Sequence, residues 1–79
     1  MFEERVILGN GFLLETFLFP DRSFRLSFRK GRLMHVEYKS DGKRHSRNLR
    51  GRENPYEFRS VEKLRYDFER DAEDALRQG

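Results

Sequence analysis

The 79-residue chain has no cysteine, no long apolar run and no linker-like segment rich in proline or serine. Without cysteine, neither a disulfide framework nor a thiolate metal site can stabilise the fold, which is compatible with a reducing cytoplasm. The longest apolar stretch, 12–19, is interrupted by Glu15 and is far shorter than the roughly 20 residues that span a bilayer. Residues 1–5 do not resemble a positively charged leader. We therefore expect a cytoplasmic protein that does not enter a membrane.

Aromatic and charged residues dominate what is present. Eight phenylalanines and three tyrosines supply large apolar surfaces, although only 35% of the residues are hydrophobic and 39% are charged. This aromatic content is too high for a disordered chain. The length and the absence of a linker predict one folded domain, residues 1–79, with a thin core.

The positive charge is concentrated in one third of the chain. The net charge is +3, but residues 21–52 alone hold eleven bases and three acids. The segments on either side are therefore acidic overall. Such asymmetry is typical of a localised interaction surface.

Turn signals divide the first two thirds of the chain into short segments of strand length. The last segment is helical, because Ser60 is a favourable N-cap and apolar residues follow at steps of three and four. Residues 51–55 read as a loop. The predicted strands cover about 5–8, 12–19, 23–29, 32–39 and 43–50, and the predicted helix about 61–77. The fold class is α+β: an antiparallel meander of four, or five, strands with one C-terminal helix packed on one face.

Side-chain parity predicts how the strands pair, since a slip of one residue turns every side chain over. A two-residue turn at Asp41-Gly42 would pair Ser40 with Lys43. A three-residue turn at 30–32 keeps the apolar positions of two strands on one face. A three-residue turn at 20–22 places Phe17 beside Arg25 and Leu13 beside Arg29. The predicted turn at 30–32 gives three core pairs, which are Phe28/Met34, Leu26/Val36 and Phe24/Tyr38.

The face opposite the helix is predicted to be polar and basic, with Glu37 nearly its only acid. An ordinary solvated face usually carries both positive and negative side chains, so we interpret this basic face as a partner-binding surface. Phe17, Phe19 and Tyr38 are candidates for stacking on a base or for an interface. The candidate partner- or nucleic-acid-binding residues are Arg25, Arg29, Arg32, His35, Lys39, Lys43, Arg44, Arg47, Arg50 and Arg52.

The segment Phe12–Phe19 is apolar on both sides, so one side needs a cover other than the helix. Three covers remain open at this stage. The N-terminal residues could fold over the strip, a homodimer or another protein could bury it, or bases could stack on it.

No catalytic residue, metal site or cofactor is predicted. The inferred pairing places His35 and His45 on opposite faces, which disfavours shared metal coordination. Glu37 near Arg25 and His35 is an acid–base combination used in RNA cleavage, but it arises easily by chance in so charged a chain. Asp67, Asp71 and Asp74 alternate with arginines, as on a solvated helix, and no phosphate-binding glycine loop is present.

These features predict a small non-enzymatic binding protein that uses a basic sheet face to bind nucleic acid, whether RNA or DNA. The alternative is a phage- or plasmid-type inhibitor or adaptor. Such a protein would dock on an acidic protein surface, or on the nucleic-acid-binding site of a host complex, with arginine and phenylalanine as anchors.

Overall fold

The computed structural model describes residues 1–78 and contains six β-strands followed by one α-helix. The strands form one antiparallel sheet in the order β1-β2-β3-β4-β5-β6. The elements are β1 (Phe2–Ile7), β2 (Phe12–Leu18), β3 (Phe24–Lys30), β4 (Leu33–Ser40), β5 (His45–Leu49), β6 (Arg52–Pro55) and α1 (Val61–Gln78). The predicted α+β class with a C-terminal helix on an antiparallel meander is confirmed, but the predicted count of four or five strands was too low.

One hydrophobic core lies between the sheet and α1, on what we call the helix side of the sheet. Alternate residues of β2, β3 and β4 point into it, as the period of two in a strand requires. The opposite side is the outer side. The buried members of the core are Phe12, Phe24, Leu26, Phe28, Val36 and Tyr38 from the sheet, and Leu64, Phe68, Ala72 and Ala75 from the helix.

The helix begins as the sequence predicts. The Ser60 hydroxyl accepts a hydrogen bond from the backbone N–H of Lys63 at 3.1 Å, which confirms the N-cap. Phe58, just before the helix, packs against Phe24 and His45, so α1 starts near the β4–β5 turn and runs toward the other end of the sheet. Within residues 1–78 no helix combines the length and apolarity needed to cross a membrane.

Strand β6 was predicted to be a loop. A two-residue turn at Arg50-Gly51 connects it to β5, and Leu49 pairs with Arg52. Both turn residues have positive φ, 51° and 87°, which is typical of a type I′ hairpin turn. Glycine adopts this conformation without strain, whereas arginine does so only in a supporting context. The arginine concealed the turn from sequence reasoning.

The β3–β4 connection differs from its prediction. The turn has two residues, Gly31 and Arg32, because Lys30 pairs with Leu33. A regular two-residue turn would place the apolar residues of β3 and β4 on opposite sides of the sheet, which is why a longer turn was predicted. A β-bulge keeps them on one side instead, since Phe28 pairs with Val36 while Arg29 pairs with Met34. The predicted core pairs are therefore wrong in register. The bulge sends Met34 to the outer side and places His35, predicted for the outer side, beside core phenylalanines.

The β4–β5 turn is longer than predicted. Ser40 pairs with His45, so the register is shifted by two residues from the predicted Ser40–Lys43 pair. The carboxylate of Asp41 accepts hydrogen bonds from the backbone N–H groups of Lys43 and Arg44, both at 2.9 Å, and this closes the loop. These bonds lower the pKa of Asp41. A shift of two residues preserves the sides of the sheet.

The pairing predicted for β2 is confirmed. Phe17 lies opposite Arg25 and Leu13 opposite Arg29, across a three-residue turn at 20–22. Strand β1 pairs alongside β2 and does not fold over it. Both edges of β2 are therefore occupied, and a partner can reach this strand only through its outward side chains.

Candidate binding surfaces

The outer side of the sheet carries equal numbers of positive and negative side chains. Its four bases are Arg5, Arg25, Arg29 and Lys39, and its four acids are Glu3, Glu15, Glu37 and Glu53. The predicted basic character of this face is therefore not present. Its acids come mainly from β1, β2 and β6, which lie outside the two hairpins from which the prediction was made.

Every base on the outer side is close to a carboxylate. Glu15 joins two of them, because the alternation along β1 and β3 brings an arginine to it from each neighbouring strand. Such exposed pairs contribute little stability individually, but they neutralise the field of the face. The pairs are Arg5–Glu15 at 3.1 Å, Arg29–Glu15 at 3.3 Å, Arg25–Glu37 at 3.1 Å and Lys39–Glu53 at 3.7 Å.

Two further predicted site residues, Arg47 and Tyr38, face the helix. Tyr38 is fully buried, with no exposed surface, so its ring is not available to stack on a base. Its hydroxyl hydrogen-bonds to the carboxylate of Asp71, and a guanidinium nitrogen of Arg47 lies 3.7 Å from the same carboxylate. Burial and the bond to Asp71 raise the pKa of Tyr38. This cluster ties β4 and β5 to α1.

A second polar cluster joins the segment after β6 to the helix. The carboxylate of Asp67 accepts hydrogen bonds from the Tyr56 hydroxyl and from the Lys63 ammonium, both at 2.8 Å. Burial opposes ionisation of Asp67, but these bonds outweigh it and lower its pKa. Because the pKa is lowered in the folded state, ionised Asp67 stabilises the fold at every pH above its ordinary pKa of 3.8. This stabilisation is lost as the pH falls through the lowered pKa.

Replacement Asp67→Asn should therefore weaken the acid sensitivity of the fold. We expect the variant to lose about 1–2 kcal/mol at neutral pH, because two charge-assisted hydrogen bonds are weakened. Between about pH 5 and pH 2 it should lose less stability than the wild type. Urea denaturation across this range measures both effects. The exposed Asp74→Asn is the matched control, and equal pH dependence in wild type and Asp67→Asn would contradict the assignment.

Unneutralised positive charge is concentrated at one end of the sheet. The β1–β2, β3–β4 and β5–β6 turns lie at this end, and residues 8–11, 30–33 and 50–52 hold four bases and no acid. We call these bases the basic rim. All four are exposed and none forms a salt bridge within residues 1–78. The members of the basic rim are Lys30, Arg32, Arg50 and Arg52.

The turns that carry the basic rim are held together by the backbone. The N–H of Arg50 donates to the carbonyl of His35 at 3.0 Å, which connects the β5–β6 turn to β4. Strands in a sheet are spaced by about 4.8 Å, so the rim from β3 to β6 extends about 15 Å. Leu33, between the rim residues, is 63% exposed. Sequence reasoning missed Lys30, although it immediately precedes the predicted turn glycine.

The opposite end carries mixed charge. Lys43 and Arg44 lie there in a shallow groove of about 820 Å³, which Lys39, Asp41 and Glu53 also line. Three bases and two acids line this groove, so its charge is mixed, unlike that of residues 8–11, 30–33 and 50–52. The two predicted site residues in the β4–β5 turn are thus separated from Arg32, Arg50 and Arg52 by the length of the sheet.

The remaining stacking candidates lie on the outer side, away from the basic rim. The rings of Phe17 and Phe19 are stacked with centroids 6.4 Å apart and an angle of 8°. The Arg5 guanidinium lies 5.8 Å from the centroid of Phe17 and covers part of that ring. Phe19 is 39% exposed.

The two histidines lie on the same side of the sheet, not on opposite sides as predicted. His35 packs against Phe12 at the rim end, and His45 packs against Phe24 at the other end. They are therefore not brought together. Within residues 1–78 no group of three or more histidine, aspartate or glutamate side chains is arranged to hold a metal ion.

The chain was compared with family models, with curated proteins and with solved structures, and none of these matches it. Any function assigned to the chain must therefore rest on the placement of its side chains in this fold.

Proposed function

We propose that this protein binds nucleic acid without catalysing a reaction, and that it does so through phosphate contacts made by the basic rim. The observation that carries the proposal is the separation of charge: four unpaired bases and no acid at one end of the sheet, against a neutral outer face. The helix carries more acids than bases. The excess positive charge of the molecule is thus local.

The chemistry of the rim suits a phosphate backbone better than a base. Arginine offers a planar set of donors that matches phosphate oxygens, and an exposed unpaired guanidinium loses no internal partner on binding. No exposed aromatic ring lies among the rim residues, because Phe17 and Phe19 are near the other end of β2. We therefore expect binding that is sensitive to salt and nearly independent of base sequence.

Titration of fluorescent oligonucleotides across a salt series tests the proposal. Four phosphate contacts predict a slope of log affinity against log salt near about −2.8 for single strands and about −3.6 for duplexes. Oligonucleotides of different sequence but equal length should bind alike. Absence of binding even at about 50 mM salt, where phosphate contacts are strong, would contradict the proposal.

A second candidate, docking on an acidic protein surface, is favoured by the exposure of Leu33 within the rim. Leu33 follows Arg32 and pairs with Lys30, and burial of its apolar side chain would stabilise a protein interface, whereas phosphate contacts do not need it. Replacement Leu33→Ser should leave oligonucleotide binding unchanged and should weaken capture of a protein partner from the native host. Leu76→Ser, on the helix and 37% exposed, is the matched control. Equal recovery of the partner with Leu33→Ser and wild type would count against this candidate.

A further inference from the structure

Strand β1 is a free edge of the sheet with exposed apolar residues at both of its ends. The other edge, β6, is only four residues long and ends in proline, which is how proteins commonly block an edge. Residues 1–7 instead contain four of the chain's exposed large apolar side chains. Their exposed fractions are 71% for Met1, 40% for Phe2, 38% for Val6 and 81% for Ile7.

The backbone groups that β1 leaves free can be identified from its hydrogen bonds. The N–H of Leu8 donates to the carbonyl of Phe12 at 2.9 Å, so Leu8 faces β2. Alternation along an antiparallel strand then directs Val6, Glu4 and Phe2 toward β2 as well. The N–H and C=O groups of Glu3, Arg5 and Ile7 point to the open edge and have no strand partner within residues 1–78.

We propose that the occupant of this edge is a second copy of the chain, whose β1 pairs antiparallel with the first about a two-fold axis at Glu4. In this register Glu3 lies opposite Arg5 of the second copy, and by symmetry Arg5 lies opposite Glu3 of the second copy. At the two ends of the strand, Met1 lies opposite Ile7 and Phe2 opposite Val6. Each position is opposite a residue on the same side of the sheet, as strand pairing requires.

Charge and apolar matching select this register over its neighbours. A register shifted one way places Glu3 opposite Glu3 and Phe2 opposite Glu4. A shift the other way places Arg5 opposite Arg5 and Ile7 opposite Glu3. Like charges directly opposite each other destabilise a sheet, whereas opposite charges and apolar pairs stabilise it. When residues 1–7 pair antiparallel with the same residues of a second copy, acids meet bases and apolar residues meet apolar residues only if Glu4 is central.

The central pair of Glu4 side chains is the unfavourable contact in this arrangement. Each Glu4 is 3.5 Å from Arg65 of its own helix, so two guanidiniums accompany the two carboxylates. The joined sheet has twelve strands with both helices on one side. A contact of one strand pair buries little area, so the dimer should be weak and dependent on concentration. This inference does not rest on the proposed function.

Charge swaps test the register by analytical ultracentrifugation. The wild type should dimerise as its concentration rises through the micromolar range. In the dimer, position 3 of each copy faces position 5 of the other, so this contact occurs twice. Replacement Glu3→Arg makes both contacts arginine against arginine, and Arg5→Glu makes both glutamate against glutamate. Each change should weaken dimerisation at least about tenfold. An equimolar mixture of these two variants should restore it, because each chain then supplies the charge that the other needs.

Backbone pairing is tested separately by Glu3→Pro. Its N–H faces the open edge, so proline should leave the β1–β2 ladder intact and block the dimer. Circular dichroism of each variant verifies folding. Two results would overturn the inference: a wild type that stays monomeric at all concentrations, or a dimer that neither single charge change weakens. Oligonucleotide titration reports on the basic rim independently.

Discussion

Replacement Arg32→Glu/Arg52→Glu is expected to weaken oligonucleotide binding by about 100-fold at low salt. Two of four phosphate contacts are removed, and charge-assisted contacts of this kind are worth about 1.5 kcal/mol or more each. The slope of log affinity against log salt should fall from about −2.8 to about −1.4 for single strands. Neither residue forms a salt bridge within residues 1–78, and both are exposed, so folding should be preserved. Fluorescence anisotropy across a salt series measures both quantities.

The matched control is Lys43→Glu/Arg44→Glu at the opposite end of the sheet. Both double variants have the same net charge, so any difference between them reports where the charge lies and not how much there is. The control should keep the steep salt dependence and lose affinity only through the weaker overall field. Equal loss in both variants would show that net charge alone attracts the ligand, and the rim would lose its assigned role.

The second large effect is expected in the core. Phe28→Ala removes a ring that is only 1% exposed and that stacks on Phe12 with centroids 4.7 Å apart. Truncation of a buried phenylalanine costs about 3–5 kcal/mol, which is a large part of the total stability of a small domain. The melting temperature should fall by about 12 °C or more. Calorimetry or denaturation followed by circular dichroism measures the change.

Phe19→Ala makes the same chemical change at an exposed position. Phe19 is 39% exposed and contacts Phe17 outside the core, so its truncation should cost less than about 1 kcal/mol. A similar loss in both variants would contradict the assignment of the core to the helix side. The pair therefore tests which face of the sheet is buried.

Much of the architecture follows from local pattern. The alternation in β3 predicts that Phe24, Leu26 and Phe28 are buried, and they are, since a strand has a period of two whatever its partners are. The pairing of Phe17 with Arg25 follows from turn length alone, and it is present in the structure. The helix and its Ser60 cap likewise depend on residues within a few positions of each other.

The errors arose where more than one local arrangement fits the residue pattern. A three-residue turn and a two-residue turn with a bulge both satisfy the parity of β3 and β4, and the structure adopts the second. That choice moves His35 from the outer side to the helix side. In the same way, Arg50 in the left-handed region converts an expected loop into the turn before β6.

The electrostatic character of the surfaces could not be read from the basic segment. Residues 21–52 are strongly basic by themselves, but β2 and β6 bring acids to them, since Glu15 pairs with Arg29 and Glu53 with Lys39. Which bases remain unpaired depends on strand neighbours that are distant in sequence. Charge interactions depend on distance in space, so the basic rim is visible only in the folded molecule.

The sequence by itself determined the class of fold, the apolar face of β3 and the start of the helix, because these depend on short periods and on single capping residues. Only the tertiary structure decided the register beyond the bulge, the neutral outer face and the clustering of Lys30, Arg32, Arg50 and Arg52. The physical reason is that pairing across the sheet sets which distant charges meet, and no property of one strand specifies its neighbour.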